Sequence, residues 1–76
     1  MTKALLIHAS EESSEFTQAA MKKARGAWGN KQLTDEAADV AALFLVMKER
    51  GVIGRRRFKR RLAKKLKKMR RKYVNR

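Results

Sequence analysis

Residues 33–54 read LTDEAADVAALFLVMKERGVIG, and this stretch decides the fold. Leu33 offers a hydrophobic staple and Thr34 an N-cap, while Asp35 and Glu36 place negative charge in a first helical turn. Gly51 stands where a left-handed residue ends a helix, with Val52 as the apolar residue that follows it. The stretch therefore predicts a helix over about residues 35–50. Every position from Ala37 to Met47 is apolar except Asp39. That is wider than the single stripe of a surface helix, so cover is expected on more than one side, with Val40, Phe44 and Met47 in contact. Either a third helix folds back over it, or copies of the chain associate.

Upstream, residues 11–28 carry a second helical signature. Ser10 serves as N-cap, Glu11, Glu12 and Glu15 suit the positive end of the helix dipole, and Lys22, Lys23 and Arg25 suit the other. Phe16, Ala20, Ala24 and Trp28 recur every four residues, which makes an apolar stripe and assigns Phe16 and Trp28 to the core. Gly29, Asn30 and Lys31 read as a turn. Residues 2–8, TKALLIH, suit a helical lead-in or pairing between subunits, because no other segment pairs with a strand there.

Downstream, Arg55 to Tyr73 predicts a narrow amphipathic helix. Phe58, Leu62, Leu66, Met69 and Tyr73 step by four, four, three and four, so they share one face and are read as core or association residues. Every other position is Lys or Arg, apart from Ala63. The expected fold is all-α: a helical hairpin (about 11–28 and 35–50) followed by a basic amphipathic helix (about 55–73). Residues 1–54 form the scaffold and association surface, and residues 55–76 the binding helix. A chain of 76 residues without cysteine lacks disulfide staples, so a partner or self-association is the expected source of extra stability.

Charge divides along the same line. The net charge is +14, yet residues 1–54 balance seven cations against all seven acids. Residues 55–76 hold the other fourteen cations: Arg55, Arg56, Arg57, Lys59, Arg60, Arg61, Lys64, Lys65, Lys67, Lys68, Arg70, Arg71, Lys72 and Arg76. A neutral body with a cationic arm attracts polyanions, and Arg suits phosphate through its paired donors. The segment 55–74 contains neither Asn nor Gln, so bidentate adenine readout has no reader. The sequence predicts phosphate-backbone binding to DNA or RNA, largely without sequence specificity. Its layout resembles small ribosomal proteins and the genome-condensing proteins of viruses, in composition and arrangement rather than in any motif. That implies a subunit of a ribonucleoprotein, a condensed nucleoid or a virion.

The alternative is a cationic amphipathic protein at a membrane surface, since such helices also bind anionic lipid. Five large apolar residues and no Trp make a narrow face for that role. His8 has no oriented nucleophile and too few companions for a zinc site, so a solvated or locally bonded histidine is expected. The segment 26–29 lacks the spacing and the Lys-Ser/Thr ending of a phosphate loop. No enzyme activity, cofactor, metal or small-molecule substrate is expected. ALLI is too short for a signal peptide core and VAALFLVM too short for a membrane span, so a cytoplasmic location or a nucleoprotein particle is expected.

Overall fold

The computed structural model describes residues 2–75 and consists of three helices: α1 (Thr2–Ala24), α2 (Asn30–Glu49) and α3 (Arg55–Tyr73). The protein is all-α, with α1 and α2 packed as a hairpin and α3 following it.

α1 begins at Thr2, not near residue 11, so Ser10 lies inside the helix and caps nothing. The lead-in is helical because Ala4, Leu5 and Leu6 are good helix formers and no Gly or Pro intervenes. Leu5 and Ala9 are also half-buried, which ties the early turns to the hairpin. In the Ser-rich middle two hydroxyls donate back one turn, Ser14 Oγ to the Ser10 carbonyl (3.0 Å) and Thr17 Oγ1 to the Ser13 carbonyl (2.9 Å), so they do not pull the backbone out of the helix.

α1 also ends earlier than the stripe suggested. Gly26, at φ +79°, closes it: the Gly26 amide donates to the Lys23 carbonyl (2.9 Å) and the Ala27 amide to the Lys22 carbonyl (2.8 Å). This is the Schellman arrangement that satisfies orphan carbonyls. Trp28 therefore falls in the connecting loop, half-buried, with Lys22 Nζ 4.1 Å from its ring centroid. The stripe itself shifts by one residue. Ala19 is fully buried and Ala20 half-buried, while Ala24 is exposed.

α2 starts at Asn30, so Thr34 is not its N-cap and Leu33 is not a staple but a half-buried residue facing α1. Extended Gly29 occupies the cap position without a side-chain hydrogen bond. Asp35 instead pairs with Lys31 one turn back, at 3.1 Å. The C-terminal end is as the sequence indicates. Gly51, at φ +71°, donates to the Lys48 carbonyl (3.1 Å), and Val52 donates to the Met47 carbonyl (2.9 Å).

The inward face of α2 is Leu33, Glu36, Val40, Leu43 and Met47, of which Met47 alone is fully buried. Phe44, Leu45 and Val46 lie exposed on the other sides, and Phe16 is at the edge of exposure. So α1 covers α2 on one side, and α3 does not fold back over the rest. Phe58 is half-buried near Leu45 and Lys48, whose ammonium sits 5.0 Å from its ring centroid. Leu62, Leu66, Met69 and Tyr73 are exposed, so they form no core within one chain.

The result is flat. The chain measures 38 × 30 × 14 Å. Its accessible surface is 6543 Å², against about 4,800 Å² for a compact chain of this mass. Its radius of gyration is 14.4 Å, against about 11 Å for a compact domain of this length. Among the described residues no helix is long and apolar enough to cross a membrane.

A Cβ added at Gly51 would meet nothing within 4 Å, so any cost there is one of backbone conformation. Gly51→Ala is expected to destabilise the fold by about 1–2 kcal/mol, the cost of the left-handed region for an L-residue. Gly54 has ordinary extended angles (φ −75°, ψ 124°), and Gly54→Ala should be nearly neutral. Chemical denaturation of both variants checks this; equal effects would refute the C-cap assignment.

Candidate nucleic-acid interface

α3 owes its length to Ala, Leu, Met, Lys and Arg, all strong helix formers, and starts at extended Gly54. The helix spans Arg55 to Tyr73 as the sequence predicts and carries thirteen of the fourteen predicted cations; Arg76 lies outside the described residues. Nineteen residues at 1.5 Å rise make about 28 Å, so positive charges recur roughly every 2 Å along the axis. Duplex DNA presents one phosphate per about 1.7 Å, so the two linear densities are close.

Helical periodicity sets the faces. Arg56, Arg60, Lys64, Lys67 and Arg71 lie opposite the apolar seam, with Arg57 and Lys68 beside them. Arg57, Arg60, Arg61 and Lys64 surround one shallow concavity, and Arg61, Lys64, Lys65, Lys67, Lys68 and Arg71 surround a second. These sites suit anions. The His8–Glu12 hydrogen bond (3.3 Å) and the Lys31–Asp35 ion pair (3.1 Å) of the hairpin involve no α3 residue. Tyr73 is two-thirds exposed, with Lys72 Nζ 5.2 Å from its ring centroid, so within one chain it is not a core residue.

The hairpin holds a second constellation that the sequence reading missed. With α1 starting at Thr2, Glu12 and Glu15 sit in mid-helix, away from the dipole's positive end. They face Glu36 across the hairpin, and carboxylate oxygens of Glu12, Glu15 and Glu36 lie within 4.8 Å of one another. One oxygen of Glu12 and one of Glu36 have neither solvent contact nor a hydrogen-bond partner. Burial raises the Glu36 pKa above the usual carboxylate range, and the charges of Glu15, Asp39 and Glu12 push it the same way. The signal was present in spacing: His8, Glu12 and Glu15 fall on one helical face, and Glu36 sits on the inward face with Val40 and Leu43.

Oxygen-only ligands are the chemistry of hard divalent cations, yet three carboxylates fall well short of the six to eight oxygens calcium takes. His8 is locally bonded, its Nε2 3.3 Å from Glu12 Oε1, as expected. Family models, curated proteins and solved structures give no match to this chain.

Because Glu36 holds its proton more tightly when folded, the native state binds more protons than the unfolded state between the two pKa values. Stability must then fall as pH rises through that window. Acidifying from neutral pH is expected to raise the melting temperature. Glu36→Gln should raise it at neutral pH and remove most of the gain on acidification, by circular dichroism. A variant less stable than the parent at neutral pH would show that the Glu36 carboxylate is stabilising instead.

Proposed function

We propose that this chain is a nucleic-acid-binding protein that neutralises phosphate backbones with α3, largely without regard to sequence. Its setting would be a ribonucleoprotein, a condensed nucleoid or a virion, with the hairpin as scaffold and association surface. One observation carries the reading: thirteen cations encircle a helix that stands off from the hairpin, with no acid among them. Cations on every side but the apolar seam suit a helix lying among several phosphate strands, and their linear density is close to that of the phosphates. Binding of this kind is driven by release of condensed counterions.

With about 6–10 cations engaged on duplex DNA, log K against log salt should slope by roughly −5 to −9, at about 0.9 per phosphate. Scrambling the target sequence should change affinity little. A chain ending at Gly54 should keep most of its helix content and lose binding. A slope near zero, or tight binding by residues 1–54, would overturn the assignment to α3.

The exposure of Leu62, Leu66 and Met69 favours a second reading, a helix lying on an anionic membrane. The two part on what the seam does. Replacing Leu62 and Leu66 with Ser should abolish vesicle binding but leave most of the salt-dependent affinity for DNA or RNA. Offered anionic vesicles and RNA together at physiological salt, the protein should partition to RNA. Partition to vesicles would replace the proposed function with the membrane one.

A further inference from the structure

On one side of the hairpin a groove runs between α1 and α2, lined by His8, Glu12, Asp39, Ala42, Leu43 and Val46. Its lining combines apolar Ala42, Leu43 and Val46 with acidic Glu12 and Asp39, and Glu15 and Glu36 lie against Glu12. α3 has the complementary section. Its exposed seam of Leu62, Leu66 and Met69 is flanked by Arg61 and Lys65 on one edge and by Lys59 and Arg70 on the other.

The chain's own α3 does not use this groove. It leaves α2 beside Leu45 and Lys48, one helical step around from Val46 and Ala42. We infer that the groove is a docking site for α3 of a second copy of this chain. The seam would cover Ala42, Leu43 and Val46 while the flanking cations meet Glu12 and Asp39. Charge complementarity of this kind fixes register as well as attraction.

Surface area supports the same occupant. The chain exposes roughly 1,700 Å² more than a compact chain of its mass, and a stable interface takes about 800 Å² from each partner. One docked α3 given and one received would use that excess. Docking also leaves Arg56, Arg60, Lys64, Lys67 and Arg71 on the far side of α3, where phosphate remains within reach. The inference deepens the association part of the proposed function and requires no nucleic acid, so the two fail separately.

The test uses full-length protein, stripped of nucleic acid at high salt and returned to moderate salt. Isotope-light and isotope-heavy copies are mixed, joined by carbodiimide cross-linking and mapped by mass spectrometry, with sedimentation giving the mass. Mixed-isotope links from Glu12, Glu15 or Asp39 to Lys59 or Lys65, in a species heavier than the monomer, are the expected result. Asp39→Lys should weaken association by roughly tenfold or more, because a like charge replaces a complementary one. Asp39 is exposed, so helix content should survive. Lys65→Glu should restore assembly when mixed with Asp39→Lys, and Leu66→Ser should weaken it from the other side. A monomer at the highest soluble concentration would overturn the inference. So would an assembly whose links bypass the groove, or one indifferent to both Asp39→Lys and Leu66→Ser.

Discussion

Eight pairs of cations stand one turn apart along α3, from Arg55/Lys59 to Lys68/Lys72. Each opposes the helix by about 0.2–0.5 kcal/mol at low salt, roughly 1.5–4 kcal/mol together. The strong helix propensity of the same residues offsets part of this, but α3 makes little contact with the hairpin to supply the rest. A helix so placed gains most from anything that screens its charges. Phosphates do so around the whole circumference, and carboxylates can do so along the two edges of the seam. The repulsion therefore makes α3 a helix whose stability is coupled to its partners.

The hairpin has the complementary deficiency. Domains normally bury one apolar layer against another, whereas here α1 covers α2 on one side and α3 does not fold back over the rest. Among the described residues its buried apolar ones are Ala19 and Met47, and its seam also contains Glu12 and Glu36. A carboxylate in a seam without a counter-charge raises the folded-state energy, and at Glu36 it also raises the pKa. Cationic side chains brought in by another copy would relieve both. The features that weaken the isolated chain are thus the ones that fit it for assembly.

The parts legible in the sequence were those fixed by a single local cause. α3 follows from its composition and one-faced seam, and the end of α2 follows from Gly51. The starts of α1 and α2 were not legible because Ser10 and Thr34 imitate N-caps. A cap contributes about 1 kcal/mol, and extending the helix back to Thr2 gains several hydrogen-bonded turns together with the packing of Leu5 and Ala9. Trp28 was misplaced for a related reason. A four-residue repeat continues on paper past Gly26, but a glycine at positive φ ends the helix regardless of the apolar residue beyond it. The acidic cluster was hidden by the same error, since carboxylates assigned to helix starts have no reason to meet.

Separation of charge along the chain links these two halves. All seven acids lie at or before residue 49, and α3 begins at residue 55 beyond a short Gly-bounded turn. At physiological ionic strength the Debye length is about 8 Å, so hairpin carboxylates beyond that distance subtract little from the field at the far end of α3. Were the same acids interspersed along α3, they would form i,i+4 pairs with its cations and stabilise the isolated helix. They would also cancel the attraction for phosphate. The sequence does the opposite, leaving α3 strained by its own charge and four of the seven acids, Glu12, Glu15, Glu36 and Asp39, at or beside one groove. Under the proposed readings, affinity for a polyanion and affinity between copies would draw on one helix, through different faces of it.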